Sequence, residues 1–189
     1  MREWKEKRGT MRHYDRQAAI YDVQYVEEQN AKTEDLLNSI KFDSNDHVLD
    51  IGCGTGFLFQ QVAQSVELIV GLDVSKNALK QAKKRTKNVS NIVLVCADAD
   101  NTPFPNNVFE IVFAITVLQN MPDPKKTITE MKRTGKPEAV FAVTGLKKKY
   151  TAESFVDLLE SMQLKVVTLN TSQQMKGHVA VCRNIETAV

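Results

Sequence analysis

The chain has 189 residues, 42% of them hydrophobic, with 25 Lys and Arg against 23 Asp and Glu and a formal net charge of +2. Such a chain fits one domain with a full core and excludes a polycation, a low-complexity polymer and a disulfide-dense miniprotein. No apolar run approaches the roughly 20 residues that span a bilayer, and the charged first residues lead into no apolar stretch, so neither a membrane anchor nor a secretory leader is expected.

In chain order, residues from about Tyr14 to Ile40 read as helical, with Tyr14, Ala18, Tyr21 and Tyr25 on one face and Leu36, Leu37 and Ile40 on a later one. Val48 to Ile51 is an apolar run broken only by Asp50, the pattern of a buried parallel strand. It ends in Gly52, Gly54 and Gly56, and Phe57 to Ala63 follows with helical spacing. Leu68 to Asp73 predicts a second strand, with Ser75 placed to cap the next helix. Asn91 to Cys96 predicts a third strand and Val108 to Ala114 a fourth. Asp123 and Pro124 supply a cap and a first-turn proline. Lys136-Pro137 leads to a fifth strand, Ala139 to Val143. Thr151 caps a helix whose Phe155, Leu158, Leu159 and Met162 recur at helical spacing. Two strands close the chain, Leu164 to Leu169 and His178 to Cys182. This alternation predicts an α/β protein with a mainly parallel sheet. Cys53, Cys96 and Cys182 form no Cys-x-x-Cys pair and read as buried free thiols in a reducing cytoplasm.

A strand, a glycine turn and a helix let a ligand come close to the backbone, because no Cβ intervenes. Asp73, at the end of the next strand, can accept both hydroxyls of a ribose. A dinucleotide fingerprint would need glycine where Phe57 stands, which argues against a nicotinamide oxidoreductase. The Gly-x-Gly-x-Gly turn led by Asp50 resembles motif I of the class I S-adenosylmethionine-dependent methyltransferases. Ala97-Asp98-Ala99-Asp100-Asn101-Thr102-Pro103-Phe104 is similar to a segment of the small ubiquinone-biosynthesis-type members. The resemblance covers roughly residues 14 to 183. It implies an α/β three-layer sandwich around a seven-stranded, mostly parallel sheet whose last strand is antiparallel, plus N-terminal lid helices. Residues 1–189 would form a single domain, with a lid region over 1–40 and a Rossmann-like core over 41–189. One departure is Lys136-Pro137-Glu138-Ala139, where the family usually has two turn glycines, so the turn there must use ordinary φ angles.

The resemblance also implies a cofactor, S-adenosylmethionine, leaving as S-adenosylhomocysteine. Asp50 would lie near its methionine amino group, and the backbone of Gly52, Cys53, Gly54 and Gly56 would wrap the methionine and ribose. Asp73 would take the ribose hydroxyls, Val74 the adenine face, and Asp98 with Ala99 the adenine edge. Thr116, after the fourth strand, would meet the methionine end. Tyr14 and Tyr21 on the lid are candidates to touch the sulfonium or the acceptor. Gln119 and Asn120 cannot act as bases but can orient a polar acceptor. Motifs of base-amino, pyrimidine-C5 and arsenite methylation are missing. His13, His47 and His178 are too scattered for a metal cluster. The acceptor is left as a small metabolite or a nucleophile on RNA or protein. For RNA, phosphates could follow the basic N-terminus, Arg2 to Arg16, and Lys147-Lys149. The other reading is a non-catalytic methyltransferase-fold module. Its mark would be decay of the glycine turn or of Asp73, and both are intact.

Overall fold

The computed structural model describes residues 2–17 and 21–185, without the side chains of residues 2, 13, 14, 16, 17 and 21–28. Two helices come first, α1 (Arg2–Gln17) and α2 (Tyr21–Asn38). Then come β1 (His47–Ile51), α3 (Phe59–Val62), β2 (Leu68–Asp73), α4 (Lys76–Arg85), β3 (Ile92–Cys96) and β4 (Phe109–Ala114). A short 3-10 turn (Leu118–Asn120) leads to α5 (Pro124–Thr134), β5 (Gly135–Leu146), α6 (Ala152–Ser161), β6 (Leu164–Asn170) and β7 (Gly177–Asn184).

The strands form one seven-stranded sheet in the order β3-β2-β1-β4-β5-β7-β6. β1 pairs in parallel with β2 and β4, β2 with β3, and β4 with β5, while β7 is antiparallel to both β5 and β6. Alternate residues of each strand feed opposite faces. Leu49, Ile51, Val112 and Phe141 pack with Ile128 and Met131 of α5 and Phe155 and Leu159 of α6. Val48, Ile69, Ile111 and Phe113 pack with Leu36 of α2, Phe59 of α3 and Leu79 and Ala82 of α4. The result is the three-layer sandwich with an antiparallel last strand that the sequence predicted.

The predicted caps are in place. Ala78 N–H donates to Ser75 Oγ at 3.0 Å, Lys125 N–H to Asp123 Oδ1 at 3.1 Å, and Thr151 with Ser154 forms a capping box. Three details differ from expectation. The helix after the glycine turn is a single turn, α3, because Gly54 to Leu58 stay in turn conformation. β5 begins at Gly135, directly after α5, so the expected Lys136-Pro137 turn is absorbed into the strand. Between the pairs Phe109↔Gly135 and Ile111↔Val140, two steps along β4 face five along β5, a bulge that takes up the extra chain without a positive φ. Cys96 is exposed, whereas Cys53 and Cys182 are buried; all three are free thiols. Cys96 ends the edge strand β3, and residues 97–108 cross to β4 without a helix that would cover that side.

Candidate functional site

A cleft opens above the carboxyl ends of β1, β2 and β4, beside the point where the strand order reverses. Its floor is made by the loops at the strand ends: Gly52 to Thr55 after β1, Asp73 to Ser75 after β2, Ala97 to Ala99 after β3, and Ile115 to Val117 after β4. Its roof comes from Lys7, Thr10 and Met11 of α1 and Gln29 and Thr33 of α2. Phe57, Leu58, Val117 and Met121 add apolar wall.

The glycine turn is tied to β2. The N–H groups of Gly52 and Cys53 both donate to Leu72 O, at 2.7 and 3.0 Å. Gly54 N–H donates to Asp73 Oδ2 at 2.9 Å and Ser75 N–H to Asp73 Oδ1 at 2.7 Å. Asp73 is thereby fixed at the cleft wall, each oxygen keeping lone pairs for a ligand hydroxyl. Gly54 has φ 54, and a Cβ added there would meet nothing within 4 Å. That Cβ would project into the open cleft, so the residue is small where a ligand needs the space. Gly56, at φ 75, has another reason: its Cβ would lie 2.5 Å from the Phe59 ring.

The family is decided by this stretch of chain. Residues 49–143, which hold the glycine turn, Asp73, Asp98 and Thr116, match the family described as "Methyltransferase domain". The chain belongs to the class I S-adenosylmethionine-dependent methyltransferases. It is 39% identical over 106 residues to a demethylmenaquinone methyltransferase of Staphylococcus carnosus, covering 54% of this chain and 44% of that protein. It is 26% identical to a malonyl-[acyl-carrier protein] O-methyltransferase of Halalkalibacterium halodurans, over 91% of this chain and 66% of the relative. In fold it is similar to a chain in the complex between the Haloferax volcanii Trm112 methyltransferase activator and a methyltransferase, with a TM-score of 0.78, 15% identity, and coverage of 92% and 98%. The chain spans about half the length of the demethylmenaquinone methyltransferases it matches.

Ten of the expected site residues meet at one cleft. Asp50, Gly52, Cys53, Gly54, Asp73, Val74, Asp98, Ala99, Thr116 and Asn120 all line it. Gly56 and Gln119 do not. Gly56 packs behind the turn, and the backbone carbonyl of Gln119 accepts from Lys149 Nζ at 2.9 Å. Tyr14 and Tyr21 lie outside the described side chains. The described part of α1 that reaches the cleft is Lys7, Thr10 and Met11.

The half of the cleft over β1 to β3 carries the acidic side chains Asp50, Asp73 and Asp98. Burial, and then the neighbouring Asp73 charge, push the Asp50 carboxyl up to about 8. Asp73 is raised too, first by burial, with the Ser75 and Gly54 N–H groups opposing the shift. Burial raises the Cys53 thiol well above its ordinary value, which keeps it inert. Asp98 is engaged by Lys7 of α1, whose Nζ lies 2.8 Å from both carboxylate oxygens, and the same ammonium meets Asp100. Burial disfavours the Lys7 charge, but the bonds to Asp100 and Asp98 prevail and its pKa is raised.

Residues missed at the sequence level hold these pieces in place. Arg133 of α5 donates to Glu130 at 2.7 Å, to Phe104 O at 2.7 Å and to Thr102 O at 3.2 Å, pinning the loop that carries Asp98 and Ala99. Thr102 N–H donates to Glu130 Oε2 at 2.8 Å. Glu130 and Arg133 stand three apart on a helix, a spacing visible in the sequence, but nothing local names the loop as their partner. No group of His, Cys, Asp and Glu among the described residues could hold a metal ion.

Proposed function

We propose that this chain transfers the methyl group of S-adenosylmethionine to a small-molecule acceptor placed over the end of β4. The observation that carries the reading is the Gly52 to Gly56 turn, held against an Asp73 whose carboxylate is presented to the cleft by two backbone N–H groups. The cofactor supplies an electrophilic methyl on a sulfonium. Asp73 would hold the ribose hydroxyls, Asp50 the methionine ammonium, and Asp98 with Ala99 the adenine edge. The apolar wall of Leu58, Val117 and Met121 would keep water away, and orientation of a nucleophile in such a site is worth on the order of 7 kcal/mol or more.

Residues 1–189 are read as one methyltransferase domain, supported by a single sheet with helices on both faces. The free thiols fit a cytoplasmic setting, and no helix among the described residues is long and apolar enough to cross a membrane. A metabolite acceptor is favoured over RNA because two lysines of the second basic cluster are engaged within the chain. Lys147 Nζ donates to Thr171 O at 3.0 Å and Ser172 O at 2.6 Å, and Lys149 Nζ to Gln119 O at 2.9 Å. The relatives named as acting on demethylmenaquinone also fit a small-molecule acceptor.

The test is calorimetry with S-adenosylhomocysteine. The wild type should bind, and Asp73→Ala should weaken binding by about 1–3 kcal/mol, the loss of hydrogen bonds to a charged acceptor. Binding of NAD with no response to S-adenosylhomocysteine rejects the reading.

A further inference from the structure

Lys7 stands in the roof of the cleft, where the face of α1 formed by Lys7, Thr10 and Met11 is turned inward. Its ammonium is shared between two carboxylates of one loop. Nζ lies 2.8 Å from both oxygens of Asp98 and 2.5 Å from Asp100 Oδ2. An ammonium has three N–H groups, so this set engages all of them. The side chains of Lys7, Asp98 and Asp100 are 12%, 18% and 7% exposed. At that depth each attraction is screened less than in a surface pair.

The loop is anchored independently of α1. Thr127 Oγ1 of α5 donates to Asp100 Oδ1 at 2.5 Å, and Asn101 N–H donates to Asp98 O at 3.1 Å, which folds the loop back on itself. Asp100 N–H donates to Asp98 Oδ1 at 3.1 Å. Oδ1 of Asp98 thus meets both Lys7 and the Asp100 N–H, whereas Oδ2 meets Lys7 alone among the described residues. A carboxylate oxygen accepts two donors, so Asp98 keeps room for one more at Oδ2. Lys7 can stay in place when a ligand N–H arrives. Its departure would leave two carboxylates side by side without this cation, a like-charge contact that turns Asp98 away.

We propose that Lys7 is a positioning residue for cofactor recognition: it fixes Asp98 as an acceptor with one open place, so that the cleft selects a purine carrying a 6-amino N–H. The proposal rests on the methyltransferase reading of the cleft and on Asp98 meeting the adenine edge. An exocyclic amine brings an N–H to Oδ2. A purine with hydrogen at position 6 brings none and leaves a desolvated carboxylate oxygen short of a donor. Because the cation comes from α1, reading the base and seating this helix are one event.

S-adenosylhomocysteine and its 6-deamino analogue, in which hydrogen replaces the amine, titrated by calorimetry into the full chain, test it. Wild type should bind the amino form about tenfold more tightly or better. In Lys7→Met, and in Lys7→Gln, which keeps a polar side chain, the preference should fall to within about threefold. Lys7→Arg keeps the charge and should retain most of the preference. Asp15→Ala removes the bond that Ser75 Oγ donates to α1, loosening the helix without touching Asp98. It should weaken both ligands alike and leave their ratio unchanged. A helix that merely straps the cleft would give the same result for Lys7, so a wild-type ratio in Lys7→Met and Lys7→Gln overturns the proposal. So does a wild type that binds both ligands equally, which takes Asp98 away from the purine 6-position. A wild type that binds neither overturns the methyltransferase reading itself, and the proposal with it.

Discussion

At the scale of single residues, Asp50 makes the cleft a proton-linked site. An unfolded aspartate titrates near 3.9. In the folded chain burial and Asp73 lift Asp50 to about 8, so between these values the folded state holds a proton that the unfolded state has lost. Asp50 therefore lowers stability progressively as pH rises through that window. A cationic ligand beside it favours the ionised form. S-adenosylmethionine binding at neutral pH should then release up to about one proton, with affinity rising as pH approaches 8. Calorimetry in buffers of different ionisation enthalpy should show this release in wild type and none in Asp50→Asn; proton-neutral binding by wild type contradicts it. Gly54 gives a second prediction. Gly54→Ala meets no neighbour and should cost stability only the αL penalty, about 1–2 kcal/mol, yet abolish most S-adenosylhomocysteine binding. Gly56→Ala collides with Phe59 and should destabilise more than it blocks the ligand. If both variants lose stability and binding in equal proportion, the distinction between ligand space and packing space fails.

At the scale of elements, α1 is strapped across the half of the cleft over β1 to β3. Lys7 joins Asp98 and Asp100, Asp15 accepts from Ser75 Oγ at the start of α4, and Glu3 meets Lys126 Nζ at 2.7 Å. Ser75 accepts from Ala78 N–H as well, so one hydroxyl serves both the α4 cap and α1. Because Asp98 is the candidate for the adenine amine, Lys7 must share or release it when ligand enters. Lys7→Met removes a partly buried ion pair worth about 1 kcal/mol, so amides of residues 2–17 should exchange roughly fivefold faster. Exchange in wild type should also change across this helix on S-adenosylhomocysteine binding. A helix whose exchange responds to neither change is a static part of the scaffold.

At the scale of the whole molecule, the loop behind the site depends on charge. Hydrogen bonds from Arg133, opposed by partial burial and helped by Thr102, hold Glu130 down at about 2. Its unfolded value is near 4.5, so its stabilisation is complete above that pH and disappears as pH falls from 4.5 toward 2. Glu110, where partial burial is outweighed by Lys136 and the His47 N–H, is lowered too and joins β4 to β1. Acid titration followed by near-UV circular dichroism should show wild type losing stability over this window. Glu130→Gln should flatten the profile there and cost about 1 kcal/mol at neutral pH. A variant with an unchanged acid profile shows that the Glu130–Arg133 pair does not hold the loop.

The sequence by itself determined the strands, the caps and the glycine turn, because these are local. An apolar run, an Asx or hydroxyl cap and a glycine turn each depend on the few residues around them, and Asp73 needs only its place at a strand end. The fifth strand was legible in its middle but not at its start, since whether residues 135 to 138 turn or extend is settled by pairing with β4. α3 read as a longer helix because helical spacing does not reveal that Gly54 to Leu58 are drawn into the turn. Cys96 read as buried because a strand pattern does not tell an edge from a centre. The polar inward face of α2 was illegible for the same reason on a larger scale. Lys32 and Thr116 are 84 positions apart, and in the sequence one is an ordinary helical lysine and the other an ordinary threonine. Only the docking of α2 over the ends of β4 and β7 buries that lysine, and only the sheet order sets it across β4 from the glycine turn.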